Sequence, residues 1–323
     1  MRKMPVSLGL RPQAMNVRQV TGDVEGHFVR QTIKARAIFT DAAKLSILFA
    51  KDKKNPVVHR AFIGETVSRV YLPLYVYHGN LYDGVNHSKL GPSSLIDSFA
   101  ATTVRVSPEW EPSFLSTICP GCGATMKGSR DSLVMTCTNC ETLWQEREGI
   151  FHQLDFGVVE SSTQAAVHLP FWHIEPEVRG CTLATLADFL ELTNQPVVVR
   201  KAHRDKKMAF IVPAFKVNPN TFLNSAKNLT SVQLVFNGMT QKTVAGSYPV
   251  TLPHKEAVQA LKVVLAGAAV SPKKVFAVLE KLDFRVTAQQ LLYLPFQWVG
   301  HDVRQEQTGF SFSSASLRFG RSM

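Results

Sequence analysis

The first hundred residues alternate β-branched and aromatic side chains with polar ones, between short turns of Gly, Asn and Asp. This pattern predicts strands. The clearest strand is predicted at 70–77, where His78-Gly79-Asn80 would turn the chain into a returning strand at 81–85. An apolar period of 3.6 residues within 40–50 predicts one helix in this part. The N-terminal third is therefore expected to be rich in β-hairpins.

In the C-terminal half, the apolar positions recur with the period of helices. Helices are predicted at 182–192, 219–229, 254–269 and 272–282. Asn218 is a residue type preferred at helix N-caps, and Pro219 suits the first helical position. We expect these helices to cover one face of a mixed or mainly antiparallel sheet, which predicts an α+β fold.

A short Leu-Pro pattern occurs three times along the chain. An aromatic residue or His is followed by Leu, Pro and a bulky apolar residue, and an aromatic residue completes the pattern. The copies lie at 70–77, 167–174 and 292–299. They predict three related strand-hairpin units, with each proline at a sheet edge, a strand start or a bulge because proline has no N–H to donate. Their aromatic residues would either pack in the core or line a binding cleft.

Length and composition are those of a soluble globular protein with two or three cores. The 323 residues are 45% hydrophobic and 19% charged. The apolar runs are shorter than the roughly 18 to 20 residues that cross a bilayer, and the N-terminus lacks the pattern of a secretory signal. A cytoplasmic protein is expected. The predicted domains are a basic β-rich domain at 1–112, an inserted zinc ribbon at 113–148 and an α+β domain at 149–323 with two further Leu-Pro hairpin units.

Two Cys-x-x-Cys pairs carry the strongest chemical signal. The four candidate metal ligands are Cys119, Cys122, Cys137 and Cys140. Two such pairs, separated by fourteen residues, can place four thiolates around one ion, which favours structural Zn²⁺. A rubredoxin-like iron site uses similar pairs, but the second pair lacks the Pro and Gly usual there. The remaining Cys181 is expected to be a buried small apolar residue rather than a reactive thiol.

The segment 119–144 resembles the zinc ribbons of the broad bacterial zinc-ribbon class. The resemblance includes the residues Ser-Leu-Val-Met-Thr before the second cysteine pair and Leu143-Trp144 after it. The repeated Tyr-Leu-Pro-Phe-like strands are similar to those of large, poorly characterised bacterial zinc-ribbon proteins, in which such β segments surround the ribbon. This resemblance implies metal binding and supplies no catalytic residues.

Positive charge is concentrated in two places. The chain has a net charge of +11, and residues 1–60 contain twelve Lys or Arg against four Asp or Glu. A second cluster lies at 200–207, in a predicted turn after an apolar strand at 197–199. The candidate phosphate contacts are Lys127, Arg130, Arg200, Lys201, Arg204, Lys206 and Lys207. They would support electrostatic binding of nucleic acid or simply form solvated loops.

The sequence contains no phosphate-binding loop, dinucleotide fingerprint, His-Glu-x-x-His helix or nucleophile elbow. The histidine pair His78 and His87, beside the first hairpin, is expected to be surface or hydrogen-bonded rather than catalytic. We therefore expect a non-enzymatic zinc-binding scaffold or adaptor that docks a protein partner. The alternatives are a nucleic-acid-associated zinc-ribbon protein and a rubredoxin-like iron electron carrier.

Overall fold

The computed structural model describes residues 20, 24, 26–30, 32–48, 59–63, 70–97, 103–105, 114–161, 167–233 and 238–321. Within these ranges the chain forms fifteen strands and seven helices. The sheets are antiparallel or mixed, so the predicted α+β class is confirmed. Two compact units are present. The first comprises the described residues of Met1–Phe49 and Thr66–Phe114, and the second those of Ala50–Glu65 and Leu115–Met323.

The first unit contains two small antiparallel sheets and one helix. Its elements are β1 (His27–Val29), α1 (Ala35–Leu48), β2 (Leu74–Tyr77), β3 (Asn80–Asp83), β4 (Lys89–Pro92) and β5 (Thr103–Arg105). Strand β1 pairs with β5, while β2, β3 and β4 form a meander. His78 and Gly79 both have positive φ, at 45° and 68°. A two-residue β-hairpin turn that follows the right-handed twist of its strands requires this conformation. The predicted hairpin is confirmed, with its first strand beginning just after Pro73.

A three-stranded antiparallel sheet in the second unit carries the cysteines. Its strands are β6 (Val134–Cys137), β7 (Thr142–Arg147) and β8 (Ile150–Leu154). Adjacent residues of β7 point to opposite faces. Leu143 joins the large hydrophobic core of the unit, whereas Trp144 packs in a small cluster with Cys119, Cys137 and Met126. This sheet therefore has one face against the main core and the other against the cysteines.

Seven strands form the main sheet of the second unit. They are β9 (Phe156–Val159), β10 (Val167–Arg179), β11 (Phe210–Pro213), β12 (Met239–Thr240), β13 (Asp283–Val299), β14 (Asp302–Arg304) and β15 (Ser311–Ser313). The main path is β11-β10-β13-β14-β15, with β9 beside β13 and β12 beside β9. The β9–β13 pair is parallel, and the other described pairs are antiparallel.

The second and third copies of the Leu-Pro pattern pair with each other at the centre of this sheet. Leu169 of β10 lies opposite Leu294 of β13. Pro170 lies one residue before the ladder to β11, and Pro295 lies between the stretches of β13 that pair with β9 and with β14. Both prolines are inside long strands, at positions where the ladder on the outer side is interrupted. A missing N–H is tolerated at such positions.

Helices in the second unit are α2 (Leu186–Leu192), α3 (Lys201–Asp205), α4 (Pro219–Val232), α5 (His254–Ala268), α6 (Pro272–Leu279) and α7 (Ser314–Gly320). The four helices predicted for the C-terminal half are confirmed as α2, α4, α5 and α6, and Asn218 caps α4 through a bond from the Thr221 N–H. The buried faces of α4 and α5 belong to the same core as the inner residues of β10, β11 and β13. None of the helices in the described ranges has the length and apolar character that a membrane crossing requires.

Candidate metal centre

The first cysteine pair lies on a tight turn before the ribbon sheet. The Cys119 N–H donates to the Ala124 carbonyl at 2.8 Å, and the Gly123 N–H donates to the Cys119 carbonyl at 2.9 Å. Gly123 has a φ of 75°, in the region that side chains disfavour. A glycine at this position therefore allows the turn to close.

The second pair spans the hairpin between β6 and β7. Cys137 is the last residue of β6, and Cys140 lies two residues before β7 begins at Thr142. Cys137 pairs with Thr142 across the hairpin. This pairing fixes the backbone on both sides of the turn, so the second pair is held by the ribbon sheet itself.

The four sulfurs converge on one point between the two turns. The Cys119 and Cys140 Sγ atoms are 3.6 Å apart, and those of Cys122 and Cys137 are 3.5 Å apart. All four lie within 4.8 Å of one another, and none is in a disulfide. A tetrahedral site with Zn–S bonds of about 2.3 Å has S–S edges of about 3.8 Å. The four cysteines are thus positioned to hold one metal ion.

The thiols of this site differ in how readily they ionise. Burial alone would raise the pKa of Cys119, but hydrogen bonds from the backbone N–H groups of Gly121 and Cys122 outweigh it and bring that pKa to about 6. The Cys122 pKa is also lowered, chiefly by the Asn139 side chain. At Cys140 the Thr142 hydroxyl favours the thiolate, yet burial and the neighbouring sulfurs outweigh this effect and raise the pKa to about 12. Four crowded sulfurs therefore resist full ionisation unless a cation is bound.

Thr142 links the sulfurs to the small core of the ribbon. Its Oγ1 accepts a hydrogen bond from the Trp144 Nε1–H at 2.8 Å and lies 3.0 Å from the Cys140 Sγ. Because the indole can only donate, the Thr142 hydroxyl proton is left to point toward the sulfur. The same oxygen is 3.9 Å from the Cys119 Sγ. The sequence shows a threonine two residues after Cys140, but this spacing alone does not indicate the contact.

Polar contacts attach the ribbon to the main sheet region. The Leu133 N–H donates to the Val250 carbonyl at 2.7 Å, and Asp131 pairs with Arg321 at 2.6 Å. The Thr243 backbone N–H and its hydroxyl both donate to the Glu141 carboxylate. Since Glu141 directly follows Cys140, the second turn of the metal site is tied to residues about a hundred positions later in the chain.

Four thiolates would complete a tetrahedral coordination shell without water or substrate. Such a closed site supplies binding energy to the fold and leaves no position for Lewis-acid catalysis. Cys119 and Cys137 are almost fully buried, whereas Cys122 is exposed. The arrangement can therefore stabilise the ribbon, whose own core is limited to a few residues.

The candidate phosphate contacts have different environments. Lys127 and Arg130 are exposed on the ribbon, and Arg200, Lys201 and Arg204 are exposed at or within α3. Lys206 instead donates to the Gln233 carbonyl at 2.6 Å, with burial lowering its pKa, and Lys207 pairs with Glu175 at 2.8 Å. The structure thus leaves six of the seven cations exposed, although Lys207 is held by its acidic partner, and only Lys206 is half-buried. The predicted strand at 197–199 was wrong: Val197 and Val198 are exposed in a loop, and the predicted turn is helix α3.

The aromatic and imidazole candidates are scattered. Trp144 and Trp172 are buried, while Trp298 is about half exposed near the end of β13. His78 and His87 each contact a tyrosine of the first unit, and within the described residues neither belongs to a metal-binding group. Cys181, predicted to be buried, is only partly buried and packs against the main core.

No protein-family model, curated protein or solved structure matches this chain.

Proposed function

We propose that this protein is a non-enzymatic scaffold or adaptor that binds structural zinc at the four cysteines and docks a protein partner. Zinc is favoured because four cysteine ligands at tetrahedral spacing suit its d¹⁰ shell, which has no geometric preference of its own. Four cysteines held by two adjacent turns and an antiparallel sheet also agree with the zinc-ribbon-like site that the sequence resembles. In this proposal the metal stabilises the ribbon, which packs against the main sheet region. The protein then binds its partner and catalyses no reaction.

An exposed apolar surface is the observation that carries the docking proposal. Val197, Val198 and Val270, here called the valine surface, are 51%, 79% and 60% exposed. Their two loops are hydrogen-bonded to each other, since the Val270 N–H donates to the Thr193 carbonyl and the Gln195 side chain donates to the Ala268 carbonyl. Exposed aliphatic residues on two loops joined by hydrogen bonds offer an apolar surface to a protein partner.

Exposed cations follow the valine surface directly in the chain. Arg200, Lys201 and Arg204 lie at or within α3, two to six residues after Val198. An apolar centre beside a charged rim is the usual composition of a protein interface. We therefore expect a partner with an apolar contact residue flanked by acidic side chains, which would meet the cations at the rim.

Metal analysis tests the first half of the proposal. Protein purified without added metal should contain about one zinc per chain and show no visible absorbance. Iron with strong visible bands would instead indicate the rubredoxin-like electron carrier and overturn the zinc assignment. Intact reduced cysteines without any bound metal would contradict both.

A substitution on the valine surface tests the second half. Tagged wild-type protein and Val198→Asp would be used to capture partners, which quantitative mass spectrometry would compare. Val232→Asp is the matched control, because Val232 is also about half exposed but lies at the end of α4. A protein lost from Val198→Asp and retained by Val232→Asp supports docking at this surface. Equal capture by all three proteins would contradict it.

The second candidate is binding to nucleic acid, favoured by the five solvent-facing cations of the ribbon and α3. It requires phosphate contacts, so binding should weaken steeply between about 50 and 200 mM salt. Replacing Arg200, Lys201 and Arg204 by Gln should then reduce the salt dependence as well as the affinity. For either candidate, a cytoplasmic location agrees with a reduced thiolate site and is part of the proposal.

A further inference from the structure

Three tyrosines share one face of the β2–β3–β4 meander in the first unit. Tyr75 and Tyr77 are two residues apart on β2, so their side chains point to the same side. Tyr82 of β3 lies directly opposite Tyr75. Tyr75 is 39% exposed and Tyr77 is 59% exposed, while Tyr82 is half-buried between them. We call Tyr75, Tyr77 and Tyr82 the tyrosine face.

The rings of this face support one another. Tyr75 and Tyr82 are stacked, with ring centroids 5.4 Å apart and planes inclined by 16°. Tyr77 meets Tyr82 edge-on at 6.5 Å, and His78 packs against Tyr77 at 4.1 Å. The Tyr75 hydroxyl is 3.3 Å from the His87 Nδ1. Cross-strand pairing accounts for Tyr75 and Tyr82. It does not account for Tyr77, which presents more than half of its surface to solvent.

The charge around this face favours an anionic ligand. Exposed Lys89 of β4 lies opposite Tyr82 and therefore on the same side of the meander. Asp83, the carboxylate of β3, is fully buried on the opposite side and accepts the Val85 N–H at 2.8 Å. Among the described residues of β2, β3 and β4, the tyrosine face thus carries a cation and no carboxylate.

We infer that the tyrosine face binds single-stranded nucleic acid by stacking bases on Tyr77 and Tyr75, with Lys89 contacting phosphate. Aromatic rings on an open antiparallel sheet are a known means of holding unpaired bases, and stacking of this kind tolerates any base sequence. The inference goes beyond the adaptor function, which uses the valine surface of the second unit. It also differs from the phosphate contacts of the ribbon and α3, because those would bind duplexes as well as single strands.

Fluorescence anisotropy with a labelled oligothymidylate tests the inference on the full-length metal-loaded protein. Tyr77→Ala should weaken binding by about 5- to 100-fold, since one stacked base contributes on that scale, and should leave the salt dependence unchanged. Tyr77→Phe should bind like wild type because the ring is kept. Lys89→Gln should lower the slope of log K against log[salt] by about 0.7, as expected for one phosphate contact on a single strand.

Phe319→Ala is the matched control, because Phe319 has the same 59% exposure and lies in the second unit. It should bind the oligothymidylate like wild type. Equal affinity of Tyr77→Ala and wild type would overturn the inference, as would equal binding of the single strand and its duplex. Tyr77-dependent binding of a proline-rich peptide, with no binding of the oligothymidylate, would also overturn it and identify the face as a peptide site.

Discussion

Thr142 shows how one hydroxyl can set the properties of the metal site. It joins the Trp144 indole to the Cys140 sulfur, so the Thr142→Val variant should lose a hydrogen bond to the sulfur while keeping its shape. Loss of an outer-shell partner of this kind lowers metal affinity by about 10- to 100-fold. Competition with a chromophoric chelator measures the change.

The controls for this prediction come from the same turn. Thr142→Ser keeps the hydroxyl and should restore most of the affinity. Thr138 is exposed between the two cysteines of the second pair, so Thr138→Val should bind metal like wild type. If Thr142→Val and Thr138→Val were indistinguishable, the hydroxyl would have no role at the metal.

His254 makes stability depend on pH. Its Nε2 is buried without a hydrogen-bond partner among the described residues, and its ring meets Trp172 edge-on at 5.2 Å. Burial, followed by the charge of Arg147, lowers the pKa from 6.5 to about 4. Between about pH 4 and 6.5, His254 is therefore mostly neutral in the folded protein and protonated in the unfolded chain. The contribution of His254 to the free energy of unfolding is therefore expected to be complete above pH 6.5 and to fall as the pH drops toward about 4.

Denaturant unfolding across this pH window tests the effect. The loss should be about 1 to 2 kcal/mol after allowance for the partial exposure of the ring. His254→Phe keeps an aromatic ring against Trp172 and should flatten this part of the profile. His152→Phe, on an exposed position of β8, is the control and should keep the wild-type slope. A profile unchanged by His254→Phe would assign the pH dependence to other groups.

The candidate site was predictable at the residue scale wherever spacing alone determines it. Two Cys-x-x-Cys pairs sufficed to predict that Cys119, Cys122, Cys137 and Cys140 come together. The bond from Thr142 to Cys140 could not be predicted, because a threonine hydroxyl points to its partner only once the backbone and the Trp144 ring are placed. The tyrosine face could not be predicted either, because it depends on the strand register. This register places Tyr82 opposite Tyr75, and a shift by one residue would move Tyr82 to the other side of the sheet.

At the scale of elements, helix α2 begins with a complete capping box. The Asp188 N–H donates to the Thr185 hydroxyl, and the Thr185 N–H donates to the Asp188 carboxylate. Thr185→Ala should lower the free energy of unfolding by about 1 to 2 kcal/mol, measured by denaturant titration. Ser271 precedes α6 without a side-chain cap bond, so Ser271→Ala should change it by less than about 0.5 kcal/mol. Equal losses would show that the cap of α2 contributes nothing specific.

Elements were predictable where local signals agreed with packing. Helix α4 has a capping asparagine, a proline at its first position and a regular apolar stripe, and its start was predicted to the residue. The three valines at 197–199 have high strand propensity, yet none of the strands in the described part of the chain pairs with them. Strand propensity reflects packing on a sheet, so without a partner it has no effect. Which Leu-Pro copies pair with each other likewise depended on contacts distant in the chain.

For the whole molecule, loss of the metal should also destabilise the main sheet region, because the ribbon is hydrogen-bonded to it. If a metal ion is bound as proposed, chelation would free the two cysteine turns, and Glu141 and Leu133 lie within or beside them. We expect hydrogen exchange to rise in the ribbon and in residues 243–251, and the melting temperature to fall. Protection should remain in α4, whose contacts are with the sheet and α5. Unchanged exchange at 243–251 would mean that the ribbon opens by itself.

The pairing of Leu169 with Leu294 also has a consequence for biosynthesis. These two paired residues, in the strands at the centre of the sheet, are 125 positions apart in the chain. At about 5 to 20 residues per second, a ribosome needs roughly 6 to 25 s to make the intervening segment. During that time the apolar residues of β10 have no β13 to cover them, while the cysteine ribbon, already complete, can close around its ion. The nascent chain is therefore expected to need protection by chaperones until β13 emerges.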